Sequence, residues 1–161
     1  MTDHQTNAPK VWQNLTQAEL DNAYDQSVYA ANMAIVASRY GSNSEIARHR
    51  LGKPERIAYG PAPKSSFDLY RAPGNAKPIQ IFVHGGAWKA TIAADYAFLA
   101  ECFTGAGAHM AILDFDWVQD HKGDLMPIAD QITDAILWIA RNARQIGGDP
   151  DQIFLSGHSS G

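Results

Sequence analysis

Disulfide chemistry is excluded first. The 161 residues contain one cysteine, Cys102, so no internal bridge can form, and a single thiol suits a reducing compartment. Cys102 lies in an apolar periodic stretch with Phe98 and Phe103, where a core position is expected. Nothing beside it would hold a thiolate, which argues against a nucleophilic cysteine. Long apolar runs are also missing. No segment approaches the roughly 18 residues that span a bilayer. Met1 to Lys10 is polar and lacks the apolar core of a signal peptide. The expectation is a cytoplasmic protein with no membrane partner. Charge of one sign is scarce as well: the net charge is −4 without clusters of Lys or Arg. That balance argues against nucleic acid as a partner. No two histidines stand at ligand spacing on one helix, so no metal site is expected. Neither repeats nor low-complexity segments occur, and a 45% hydrophobic content suits one globular domain.

What is present is concentrated at two strand ends. Gly157-His158-Ser159-Ser160-Gly161 spells Gly-x-Ser-x-Gly directly after the apolar run Gln152 to Ser156. A serine on a sharp strand-to-helix turn is pushed into a strained backbone that exposes its hydroxyl. The positions two before and two after pack against neighbouring backbone, which calls for Gly157 and Gly161. Ser159 is the candidate nucleophile. The second stretch is Ile79 to Val83, an apolar strand that ends in His84-Gly85-Gly86-Ala87-Trp88. Acyl transfer builds negative charge on a carbonyl oxygen, and backbone N–H groups aimed at that oxygen stabilise it. Gly85 and Gly86, with Ala87, form a candidate oxyanion loop. Ser160, just after the nucleophile, is the expected second donor.

On these residues the chain resembles the N-terminal part of an α/β-hydrolase, close to the hormone-sensitive-lipase and kynurenine formamidase (arylformamidase) branch. His84 to Trp88 is similar to the H-G-G-x-W of that branch. Asp95 to Ala100, Gly147-Gly148-Asp149-Pro150 and Gly157 to Gly161 also look like its usual segments. The likeness runs from about Tyr59 to Gly161. It implies a mostly parallel sheet with crossover helices, ending at the nucleophile elbow. It further implies that His84 supports the loop and that His158 flanks the serine. No cofactor is expected.

The rest of the chain fits that order. Residues 1–14 read as a loose lead-in. Thr16 with Glu19 makes a capping box, and Leu20, Tyr24, Val28 and Ala31 continue at helical spacing. Met33 to Tyr40 reads as a second helix ended by Gly41, and Glu45 to Leu51 as a short weak one. Residues 1–55 thus form an N-terminal helical arm, and 56–161 the N-terminal part of a hydrolase core. Strand-like runs at Arg56 to Tyr59 and Ser66 to Tyr70 flank a Gly-Pro turn, an antiparallel pair. A helix from Ala94 to Phe103 leads to a buried strand, Met110 to Phe115. Asp114 and Asp116 stand at its C-terminal end, where they contact substrate or cap the loop. Pro127 to Ile146 is the clearest helix, with Ile128, Ile132, Ile136, Ile139 and Ala143 on one stripe and Trp138 beside it. Alternating strands and helices point to an α/β fold.

A serine hydroxyl needs a histidine base and an acid that orients it. All six histidines, at 4, 49, 84, 109, 121 and 158, lie before or within the elbow. His4 and His49 read as surface residues, His109 opens a strand, and His121 sits in a polar loop. The expected chain order places the acid and base after the serine. A complementary C-terminal polypeptide carrying them is therefore the expected partner, and this chain alone is expected to be inactive. The functional expectation is a serine hydrolase of a small ester or amide, an aryl-formamide for preference. Trp88 is a candidate substrate contact or a wedge under the loop. The alternatives are a short-chain carboxylesterase and a non-catalytic binding protein on the same fold. The oligomeric state is left open.

Overall fold

A computed structural model describes residues 8–161. His4 and the first half of the expected lead-in lie outside the described residues. Two compact units divide the chain, Met1–Arg39 and Tyr40–Gly161.

In the first unit the lead-in contains an antiparallel pair, β1 (Lys10–Trp12) and β2 (Leu15–Thr16), turned at Gln13 with φ 48°. The expected looseness is corrected there, because Lys10 also reaches Glu19 at 3.2 Å and ties the pair to the next helix. That helix, α1 (Gln17–Tyr24), starts at the capping box: Glu19 accepts the Thr16 N–H at 2.7 Å and Thr16 accepts the Glu19 N–H at 3.3 Å. The single helix expected to run past Val28 instead breaks at Asp25. Its carboxylate accepts the Ser27 N–H at 2.9 Å and caps a separate turn, α2 (Gln26–Tyr29). A short acidic side chain competes for backbone donors in this way. Tyr24 and Val28 are exposed, so the stripe signals a helix without burying it.

Helix α3 (Met33–Leu51) corrects two expectations: Gly41 does not end a helix, and Glu45 to Leu51 is not a separate one. Glycine inside a helix costs about 1 kcal/mol relative to alanine. Packing beyond it offsets that cost. The Ser44 hydroxyl donates to the Asp95 carbonyl at 2.7 Å and accepts the Phe98 N–H at 3.2 Å, and Arg48 donates to the Ala94 carbonyl.

The second unit is built on a five-stranded sheet. After β3 (Glu55–Ala58) come β4 (Ser66–Tyr70) and β5 (Lys77–Val83). A 3-10 turn (Ala93–Tyr96) precedes α4 (Phe98–Gly105) and β6 (His109–Leu113). A second 3-10 turn (Val118–His121), α5 (Met126–Asn142) and β7 (Gly148–Gly157) follow. The spatial order is β3-β4-β6-β5-β7. β3 and β4 pair antiparallel, as do β4 and β6, while β5 runs parallel to both β6 and β7. The expected helix from Ala94 to Phe103 is thus two pieces with a change of pitch at Ala97.

Period-two alternation sorts the core onto two faces. Phe67, Leu69, Ile79, Ile81, Val83 and Leu113 meet Ile128, Ala135, Ile139 and Ala143 of the α5 region. On the other face Tyr70, Phe82, Met110 and Ile112 meet Ala93, Tyr96, Ala97 and Ala100. Cys102 is exposed, not in the core. Ala100 takes the buried position of α4, and two residues further on the helix has turned Cys102 to the opposite side. β7 is an edge strand on which Phe154 and Leu155 are 55% and 58% exposed.

Candidate functional site

Two loops leave the C-terminal ends of adjacent parallel strands. Val83 of β5 lies opposite Gly157 of β7, so His84 and His158 start side by side. The His158 N–H donates to the Val83 carbonyl at 3.1 Å and carries the pairing one residue past the strand. Ridge contacts are tight from there. A Cβ on Gly161 would lie 2.7 Å from the Val83 carbonyl carbon and 2.8 Å from the His84 oxygen. On Gly157 it would meet the backbone of Gly161 at 2.5 Å. Ser159 itself has φ 56° and is exposed. A left-handed backbone at a non-glycine residue stores strain, and here the turn is closed by the Gly161 N–H on the His158 carbonyl at 2.9 Å.

The first loop approaches that serine through Gly85. A Cβ there would sit 2.9 Å from the His158 oxygen, 3.0 Å from His158 Nδ1 and 3.1 Å from Ser159 Cβ. Gly86 follows at φ 115°, then Ala87 and Trp88 at 53° and 58°, with the Lys89 N–H closing onto the Gly86 carbonyl at 3.0 Å. A side chain on Gly86 would run into Ala90 O and come within 2.7 Å of Thr91 Oγ1. Among the described residues, the N–H groups of Gly86, Ala87 and Ser160 make no intramolecular hydrogen bond. The Ser160 hydroxyl is buried and also without a partner.

His84 lies beneath this loop, buried, its ring stacked on Phe115 at 4.3 Å and on Tyr96 at 5.7 Å. Its Nδ1 is 2.8 Å from the Gly85 carbonyl and its Nε2 is 3.8 Å from Asp114 Oδ1. Burial holds His84 below the ordinary histidine range, against the pull of the Gly85 carbonyl and of Asp114. Asp114 accepts the Ala93 N–H at 2.6 Å and pairs with Arg56, which also reaches Asp68 at 2.8 Å. It therefore caps the first 3-10 turn rather than the loop after β6. His158 lies 6.0 Å from the Tyr40 ring and 6.2 Å from that of Tyr96.

The remaining candidates are placed elsewhere. Asp116 accepts from His121 Nε2 at 3.2 Å, in a hollow lined by Tyr59, Ser65, Pro127 and Asp130 and not by Ser159. His109 is a satisfied core histidine: Nδ1 accepts the Ala72 N–H at 3.0 Å and Nε2 donates to Gly147 O at 3.1 Å. His49 is exposed on α3. Trp88 stands at the rim of the loop, 40% exposed, and its carbonyl accepts the Val118 N–H at 2.7 Å. Thr91 belongs to no sequence motif, yet it bonds both His84 and Gly85.

The profile of the BD-FAE family matches residues 67–161, more than half of the chain. The chain belongs to the BD-FAE family. Its solved neighbours include a crystal structure from a Silicibacter species, described as a thioesterase, at TM-score 0.75 and 28% identity over 89% of this chain and 52% of that one. The fold is that of an α/β-hydrolase. An isoprenylcysteine alpha-carbonyl methylesterase of Arabidopsis thaliana is 34% identical over 110 residues, 65% of this chain and 25% of its own length. Kynurenine formamidase of Danio rerio is 24% identical over 158 residues, 93% of this chain and 52% of its own. This BD-FAE chain thus spans a quarter to a half of the relatives it matches. Among the described residues no helix is long and apolar enough to cross a membrane.

Proposed function

We propose that the chain carries the nucleophile and the oxyanion-binding loop of a serine hydrolase acting on a small ester or amide. The observation that supports it best is the meeting of the two loops: Ser159 at φ 56° beside Gly85, with free N–H groups on Gly86, Ala87 and Ser160. Ser159 Oγ attacks the substrate carbonyl carbon, and its proton passes to a histidine base. Charge that develops on the carbonyl oxygen is taken up by the Gly86, Ala87 and Ser160 N–H groups. Collapse of the tetrahedral intermediate expels the amine or alcohol, protonated by the same histidine, and leaves an acyl group on Ser159. Water then repeats the attack and frees the acid.

The base and its orienting acid belong to polypeptide beyond Met1–Gly161 in this reading. Phe154 and Leu155 on the β7 edge give such polypeptide an apolar seat. For the substrate, an aryl-formamide is favoured by the formamidase likeness over 93% of the chain and by the exposed Trp88 at the loop rim. A carboxylic ester is the second reading, favoured by the methylesterase likeness. Labelling of the native assembly with a fluorophosphonate probe tests the proposal. Peptide mapping should place the adduct on Ser159, and Ser159→Ala should abolish it. A folded assembly that stays unlabelled would instead be a binding protein. Turnover of formanilides against short-chain esters then separates the two substrate classes.

A further inference from the structure

Thr91 has no local reason to be where it is. It is a β-branched residue at φ 70°, a conformation in which the Cβ substituents crowd the backbone and which such residues rarely adopt. Its side chain shows what the strain maintains. Thr91 Oγ1 donates to the Gly85 carbonyl at 2.6 Å and lies 3.0 Å from His84 Nδ1. His84 Nδ1 is itself 2.8 Å from the same carbonyl. A carbonyl oxygen only accepts, so both neighbours donate to it. The Nδ1 of neutral His84 therefore carries the ring proton, shared between the Gly85 oxygen and the Thr91 lone pair. Trp117 Nε1 in turn donates to the Thr91 carbonyl at 3.2 Å, a second tie on this residue.

The consequence follows from peptide planarity. In a trans peptide the C=O and the following N–H point in opposite directions. Holding the Gly85 carbonyl towards Thr91 and His84 turns the Gly86 N–H the other way, off the side occupied by Thr91. Gly86 cannot swing back easily, because Ala90 O and Thr91 Oγ1 fill the space beside its Cα.

We infer that Thr91 is a positioning residue for oxyanion stabilisation, fixing the plane of the Gly85–Gly86 peptide so that the Gly86 N–H is held ready before substrate binds. This rests on the serine-hydrolase reading above. Without the hydroxyl, His84 alone holds the carbonyl, and the peptide gains freedom to rotate. Donor alignment is lost in the transition state more than in the ground state, so kcat falls while KM stays.

The test compares Thr91→Val, which keeps the branched shape and removes the hydroxyl, with Thr91→Ser, which keeps the hydroxyl. Both are measured in the native assembly. Removing a whole oxyanion donor costs about 10²–10³ in kcat, so misaligning one is expected to cost about tenfold in Thr91→Val. Affinity for a trifluoromethyl ketone transition-state analogue should fall in parallel, KM should stay within about twofold, and Thr91→Ser should restore both. A merely structural threonine would lower the melting temperature and leave kcat per folded molecule and analogue affinity unchanged. That result would overturn the inference. So would equal losses in Val and Ser. If wild-type protein fails to label at Ser159, the hydrolase reading itself fails, irrespective of Thr91.

Discussion

Gln80 joins β5 to β7 through its side chain, donating from Nε2 to Ser156 Oγ at 2.8 Å and to the Ile81 carbonyl at 2.9 Å. Both residues sit just below the strand ends that carry the two loops, and Gln80 is buried. The bond therefore ties together the two strands that lead into the Ser159 turn and the Gly85–Gly86 loop.

Replacing Gln80 tests that coupling. Gln80→Met keeps the volume but leaves the half-buried Ser156 hydroxyl with only the Ile81 carbonyl, at 3.5 Å. A loss of roughly 1 kcal/mol is expected for one half-buried bond. Denaturant unfolding should show a lower midpoint with the slope unchanged. No change in midpoint would mean that the side chain is incidental to the sheet.

Gly161→Ala should be more damaging. The added methyl would run into the Val83 carbonyl, which already accepts the His158 N–H. The clash is with backbone, which cannot step aside without moving β5. A cost of at least about 2 kcal/mol is expected, in the range of strained sites. Fluorophosphonate labelling of Ser159 should fall further than stability alone explains, because the turn that exposes the hydroxyl is displaced.

Two buried histidines set an acid limit. Burial first, then Arg71 and Lys77, hold His109 below the ordinary histidine range, although the Gly147 carbonyl pulls the other way. Burial also lowers His84. Each group takes a proton more readily in the unfolded chain than in the native one. Their contribution is therefore intact above the unfolded value of about 6.5 and is lost progressively as pH falls below it. Urea midpoints at pH 7.5 and 5.5 should differ, with the native state weaker at 5.5. In His109→Gln the difference should shrink, and an unchanged pH slope in that variant would assign the effect to His84.

Much of this architecture was legible because its signals are local. Thr16 and Glu19 announce a capping box within four residues, and the structure has it. Ser66 to Tyr70 reads as a strand, and of the helical stripe Ile128, Ile139 and Ala143 are buried, while Ala135, outside that stripe, is buried with them. The α/β-hydrolase fold followed from two motifs, each placed behind an apolar strand. What escaped depends on partners far away in the chain. Gly41 looks like a helix stop until Ser44 is seen bonded to Asp95 and Phe98. Cys102 shares a run with Phe98 and Phe103, yet the turn of the helix faces it outward. Thr91 carries no motif, and its hydroxyl matters only once the chain has folded back onto Gly85.

The register of β5 against β7 also has a consequence in time. Val83 and Gly157 face each other, but two 3-10 turns, α4, β6 and α5 separate them along the chain. Closing so long a segment is entropically expensive and slow compared with forming any helix or hairpin. The two loops are thus encoded far apart in the chain. They become neighbours through the β5–β7 pairing, so a chain in which that pair is open holds the Ser159 turn and Gly85 apart.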